Sequence, residues 1–189
     1  MTEINNIKVY DLKESIIASG YPMRTDIGDE DFDEALKRAT RLAKQPSNSG
    51  HGNFLTGIRV SYDIKYPQYL SPQLQRYHFN DIVSSQSKMH RLAKLDIESS
   101  CNEYVAQGII DVVKVLQELY NDNPSYVNYM MLVSNCPLGL ELTMRCSTNY
   151  MQLKTIYKQR KNHKLKEDWG AYIEFIQSLP YAKELIIND

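Results

Sequence analysis

Cysteine is scarce in this 189-residue chain: Cys101, Cys136 and Cys146 are odd in number, widely spaced and never in a CxxC pair. That excludes a disulfide framework and a zinc knuckle and points to a reducing compartment. Long apolar runs are lacking too, none approaching the roughly 20 residues that span a bilayer. Residues 1–10 are polar and then strand-like, without a basic-then-apolar leader pattern, so a cytoplasmic protein with no membrane partner is expected. Charge of one sign is not in excess: 22 Lys and Arg against 23 Asp and Glu leave a net charge of -1, which disfavours a general nucleic-acid binder. No G-x-S-x-G, H-E-x-x-H, Walker loop or G-x-G-x-x-G occurs, which removes the readily recognised catalytic classes. The four histidines, His51, His78, His90 and His163, stand at no metal-ligand spacing, and no metal is expected.

What is present is an ordinary globular composition, 42% apolar and 24% charged, with 14 tyrosines whose rings can be half buried while their hydroxyls find partners. Nothing resembles a linker, so residues 1–189 are read as one domain. A short alternating strand at 7–10 leads to a helix at 12–18, broken by Ser19-Gly20-Tyr21-Pro22. The acidic start Asp29-Glu30-Asp31 and the stripe Phe32, Ala35, Leu36, Ala39, Leu42 predict a helix over 31–44. A loop follows at 45–52, then a period-two strand at 54–64, helix-compatible sequence at 69–79, and a polar, serine-rich loop or irregular turn at 81–88. Asn102 is placed to cap the longest helix, whose apolar positions run from Tyr104 to Tyr120. A helix at 126–134, a strand at 140–146 and helices at 149–161 and 169–179 complete an α+β set.

Two segments carry candidate chemistry. On the helix from Asn149, residues eleven apart fall roughly 20° from registration at about 100° per residue. Asn149, Leu153, Ile156 and Arg160 therefore share a face, an amide and a guanidinium bracketing an apolar stripe. Such a face can hold a planar ring and fix its edges, Arg being suited to bidentate contact. It equally describes an amphipathic core helix with Asn149 as N-cap and Arg160 complementing the dipole. Lys154, Lys158, Arg160, Lys161, Lys164 and Lys166 concentrate positive charge there, a solvated helix end or a site for anions. The run Ser84-Ser85-Gln86-Ser87-Lys88 offers hydroxyls, an amide and a cation that can clamp a phosphate and a base edge, or form a capped turn.

The order of these motifs resembles that of the flavin-dependent thymidylate synthases. Gly50-His51 precedes a strand, Gln73-Leu74-Gln75-Arg76-Tyr77-His78-Phe79 follows, then Ser84-Ser85-Gln86-Ser87-Lys88-Met89-His90, Asn149-Tyr150-Met151-Gln152-Leu153 and Gln159-Arg160. The likeness extends over about 39–180. It implies a mainly antiparallel sheet packed with helices and a homotetramer whose sites are shared between subunits. It also implies a pyrimidine deoxynucleotide held by Gln86, Ser87, Lys88 and Arg160, with Arg160 polarising the ring. His51, His78 and Asn149 would lie on the side of a bound FAD. The family's reaction passes a one-carbon unit from methylenetetrahydrofolate to deoxyuridylate through reduced flavin, with NADPH supplying electrons and no protein nucleophile.

The chain departs from that pattern at its cations. Tyr77 and Phe79 take the arginine positions beside His78, Ser85 a Glu/Gln position, Met89 the loop arginine and His90 the tyrosine. Met151 stands for a further arginine, Val133 lies near another, and Arg76 or Arg91 are the candidates to compensate. Three functions follow: a flavin-dependent nucleotide methyltransferase, a non-catalytic nucleotide-binding homologue, and an oligonucleotide binder using the basic stretch 154–166.

Overall fold

A computed structural model describes residues 2–46 and 49–187. Its strands are β1 (Glu3–Tyr10), β2 (Arg59–Pro67), β3 (Asp81–Ser85) and β4 (Glu141–Asn149). They form an antiparallel sheet in the order β1-β2-β4-β3. The longer helices are α1 (Leu12–Ala18), α2 (Phe32–Ala43), α6 (Gln107–Asp122), α7 (Tyr126–Ser134), α8 (Tyr150–Arg160) and α9 (Lys166–Ser178). Single turns α3 (Ser71–Leu74), α4 (Lys88–Arg91), α5 (Ile97–Ser100) and α10 (Ala182–Leu185) complete the order. The expected α+β class, an antiparallel sheet packed with helices, is what forms.

Alternation decides which face of the sheet is covered. Val60, Tyr62, Ile64 and Tyr66 of β2 lie opposite Thr148, Cys146, Met144 and Leu142 of β4, and all are buried. Residues of α2, α8, α9 and α10 close over this face in one apolar cluster. Within it the Tyr62 hydroxyl meets that of Tyr172 at 2.5 Å and donates to Asn80 Oδ1 at 2.7 Å, so the deepest tyrosines are not left unpaired. The opposite face is polar and half-exposed, with Asp63 directly across from Arg145 at 3.0 Å. A second apolar cluster joins Leu92, Ile97, Ile110, Val113, Leu116 and Leu132 to Leu140 and Leu142.

The helices at 12–18 and 126–134 form over those bounds, and the helix at 31–44 runs from its N-cap Asp31 to its C-cap Lys44. Elsewhere neighbours override the local pattern. The strand expected at 54–64 begins at Arg59, because Asn53–Thr56 winds into a 3-10 turn and Gly57 lets the chain abut Ser15. A Cβ on Gly57 would come within 2.4 Å of Ser15 Oγ. In 69–79 only Ser71–Leu74 is α-helical, opened by Pro72 at a position where no amide hydrogen is needed. The serine-rich 81–85 is not a loop but strand β3 at the sheet edge. Asn102 does not cap the long helix, which starts at Gln107; its Oδ1 accepts from the Tyr104 amide at 3.3 Å instead. The last helices are shifted similarly: α9 starts at Lys166, three residues before Trp169. Ser47 and Asn48 of the expected loop lie outside the described residues.

Candidate functional site

β4 passes directly into α8, and Asn149 serves both. It is the last strand residue, and its Oδ1 accepts the Gln152 amide at 2.9 Å as N-cap. Leu153 and Ile156 are fully buried, so the stripe between Asn149 and Arg160 belongs to the core and offers no surface to a planar ring. The amphipathic-core reading of that face is the one realised.

Arg160 ends the helix half-buried, in a box of side chains drawn from three places. Its Nε donates to the Tyr77 hydroxyl at 2.7 Å and its Nη1 to Gln73 Oε1 at 3.3 Å. The guanidinium carbon lies 4.6 Å from the Trp169 ring centroid and 5.6 Å from that of Tyr77. The same Gln73 oxygen accepts from Trp169 Nε1 at 3.1 Å, and the Tyr77 hydroxyl donates to Gln159 Oε1 at 3.1 Å. Aromatic faces attract a guanidinium without neutralising it. Among the described residues no carboxylate pairs with Arg160, and no bond fixes its Nη2. The group is oriented and still charged, as recognition of an oxyanion or an imide edge demands.

Arg160 is the shared wall of two clefts. The first, of about 440 Å³, is lined by Arg76, Tyr77, His78, Phe79, Gln152, Thr155 and Gln159. Its outer strap is tied down: the Phe79 amide donates to Gln152 Oε1 at 3.3 Å, and Thr148 Oγ1 donates to the Phe79 carbonyl at 2.7 Å. The second, of about 340 Å³, opens at the turn between α8 and α9.

The other expected site residues lie apart. His51 faces a separate cleft of about 610 Å³ with Ser19, Pro22, Met23, Arg38 and Phe54, and the Arg38 guanidinium there is bonded to Glu30. Gln86 extends the β3–β4 ladder with its side chain, Oε1 accepting from the Thr143 amide at 2.9 Å while its own amide donates to the Thr143 carbonyl. Ser87 Oγ accepts the His90 amide at 3.3 Å and caps α4, and Lys88 opens that turn half-buried. These three sit beside Thr143, whereas Phe79 sits beside Thr148; five strand residues put roughly 17 Å between the two places. One chain thus brings together Arg160 and His78, sets Asn149 behind Gln152 of the same cleft, and leaves His51 and the segment 86–88 elsewhere.

The basic stretch 154–166 is not one surface either. Lys154 is buried, its ammonium donating to the Ala43 carbonyl at the end of α2. Burial, and then Lys158, lower its pKa. His163 is likewise held below its ordinary value, by burial first and then by Arg160 and Lys164. Among the described residues no group of histidines, cysteines and carboxylates is placed to hold a metal ion, and no helix is long and apolar enough to cross a membrane.

Gln73, Gln159 and Trp169, which position Arg160, were not singled out as site residues in the sequence. Gln73 and Gln159 stand inside the motifs quoted for the resemblance, but Trp169, the sole tryptophan, reads only as a helix residue.

No protein-family model and no curated protein matches the chain. Solved structures do. Thymidylate Synthase X from Helicobacter pylori, in a crystal structure with FAD and dUMP, superposes with a TM-score of 0.67 at 15% identity, over 98% of this chain and 97% of that one. The UMP/dUMP methylase PolB from Streptomyces cacaoi, bound with 5-Br dUMP, gives 0.66 at 13% identity, over 99% and 94%. The chain therefore has the flavin-dependent thymidylate synthase fold along essentially its whole length, at great sequence divergence.

Proposed function

We propose that the protein binds a pyrimidine deoxynucleotide, with deoxyuridylate as the simplest candidate, and that Arg160 holds the ring in the cleft it shares with His78. The observation that carries this reading is the Arg160 box: a guanidinium fixed by Gln73, Tyr77 and Trp169, with no bond to its Nη2 among the described residues, in a fold whose solved examples bind dUMP or its 5-bromo analogue. A cation held in place before the ligand arrives needs no reorganisation to stabilise charge on a carbonyl of the base.

Gln86, Ser87 and Lys88 join such a site only from a second copy. The apolar residues left exposed on α6, namely Ile109, Val112, Val115 and Leu119, recur at three and four, the spacing of a helix face that a neighbouring subunit covers. A homotetramer, as the resemblance implies, supplies that cover, and the cytoplasmic location and one-domain subunits expected from the sequence accord with it.

FAD does not fit the residues of one chain. His51 and His78 face different clefts, and the Asn149 carboxamide oxygen is committed to capping α8. Methylation with reduced flavin, methylenetetrahydrofolate and NADPH is the fuller form of the proposal. A nucleotide-binding homologue without turnover is the second, and a specific observation favours it: Phe79 and Met89, at positions where the resemblance expects arginines, are exposed apolar side chains.

Calorimetry with dUMP tests the common ground. Binding is expected, weakened at least tenfold in Arg160→Gln, since a charge-assisted hydrogen bond contributes about 1.5–3 kcal/mol. No heat with dUMP, or equal binding by the variant, would overturn it. The absorption spectrum after incubation with FAD separates the two forms: a flavin band that survives desalting supports the methyltransferase, and a colourless protein that still binds dUMP supports the homologue without turnover.

A further inference from the structure

Gln152 and Thr155 of α8 line the cleft that Arg160 shares with His78, and what each can still offer follows from the bonds it already makes. Gln152 is only 8% exposed, and its Oε1 is taken by the Phe79 amide at 3.3 Å. That bond orients the carboxamide and turns its Nε2 the other way. Among the described residues Nε2 has no partner, and only Gln68 Nε2 and Asn80 Nδ2 are sealed from solvent in that state. Gln152 Nε2 therefore opens on the cleft. A donor held there without an acceptor is costly until a ligand supplies one.

Thr155 has the opposite polarity. Its Oγ1 donates to the Met151 carbonyl at 3.2 Å, so the hydroxyl proton is committed and the oxygen lone pairs remain. Arg160 has donors only. Along α8 the order is thus donor at Gln152, acceptor at Thr155 and donor at Arg160, within about 12 Å of helix rise. The edge of a 4-oxo pyrimidine reads acceptor, donor, acceptor through O4, N3–H and O2. A 4-amino pyrimidine instead sets its N4 amino group against Gln152 Nε2 and its N3 lone pair against the Thr155 oxygen.

We propose that Gln152 and Thr155 are specificity-determining residues that select this imide edge, which restricts the cleft to 4-oxo pyrimidine nucleotides; the assignment rests on the pyrimidine binding proposed above. Gln152 Nε2 donates to O4, Thr155 Oγ1 accepts from N3–H, and Arg160 donates to O2. The wrong edge is rejected because buried polar groups are left unpaired, which discriminates more sharply than a difference in size.

Calorimetry of the whole protein with dUMP, dCMP and N3-methyl-dUMP tests the selection. The parent is expected to bind dUMP at least tenfold more tightly than either of the other two. Gln152→Glu keeps an oxygen for the Phe79 amide and replaces the donor by an acceptor, and is expected to bring dUMP and dCMP within threefold or to reverse their order. Gln152→Met, which lacks the donor altogether, is expected to narrow the difference at least threefold. Arg160→Gln is expected to weaken dUMP and dCMP alike, because both carry O2, so loss of the ring contact is told apart from loss of edge reading. Thermal melts establish that the variants are folded. Equal binding of dUMP and dCMP by the parent, or an unchanged ratio in both folded Gln152 variants, overturns the selection and leaves nucleotide binding in place. N3-methyl-dUMP bound within twofold of dUMP overturns it on the parent alone. A protein that binds none of the three overturns the pyrimidine reading and this one with it.

Discussion

Around Arg160 the neighbouring groups are packed and hydrogen-bonded, with Trp169 only 1% exposed, whereas all five residues of β3 are exposed and Val83 stands 64% open. Both regions descend from segments that look alike in sequence, polar and serine- or lysine-rich. The first is held by side chains from α3, α8 and α9. The second is held by backbone bonds to β4 and by the amide of Gln86. A segment whose own side chains do not fix it can still be ordered, provided a neighbouring strand supplies the ladder. Such a segment keeps its side chains available for something outside the chain.

Substitutions can sharpen or break that contrast. Trp169→Ala is expected to have the largest effect, about 3–5 kcal/mol of stability lost in urea denaturation followed by circular dichroism, because it empties a core position that also orients Gln73. Asn149→Ala removes the cap of α8 and is expected to cost about 1 kcal/mol, against about 0.5 kcal/mol for Ser87→Ala on the single turn α4. Gly170→Ala is expected to raise stability by about 0.5–1 kcal/mol in the same assay, since the new methyl meets open space.

The pH dependence of the Lys154 contact is smaller and has a definite sign. Its folded pKa lies below the ordinary 10.5, so over the interval between the two the unfolded chain binds more protons. The full cost of burying the charged form is present below the folded value and is relieved as pH rises toward 10.5. Lys154→Met is expected to remove that upward slope from a plot of stability against pH, and an unchanged slope would refute the assignment. Smallest of all, Val83→Ser should change the stability of the separate chain by less than about 0.5 kcal/mol while weakening self-association in sedimentation. Loss as large as that of Trp169→Ala would end the contrast.

Elements whose stabilisation is local were legible in the sequence. The helix at 31–44 carries its own apolar periodicity and those at 12–18 and 126–134 their own breaks, and Asp31 and Ser125 cap the last two of the three in chain order by accepting amides. β3 was not legible, because its register is set by β4 some sixty residues later and neither of its faces is buried. The same division runs through the candidate site. Arg160 and His78 were named from their motifs and do share a cleft. Trp169 was missed because its contact with Gln73 spans 96 residues and leaves no mark on local spacing. By their chemistry Gln86 and Ser87 offer either a phosphate clamp or a capped turn, and within one chain the capped turn is what forms, the Gln86 Oε1 and the Ser87 Oγ accepting backbone amides.

The junction at Asn149 makes the nine residues of β4 and the eleven of α8 a single stiff member with no loop in it. Gln86 is clasped to one end of that member, at Thr143, and Arg160 is carried at the other. The spacing between the two ends is therefore set by bond geometry, as on a ruler. In the homotetramer proposed above that fixed length would recur at each site, so one residue inserted between Asn149 and Tyr150 would misalign all of them together.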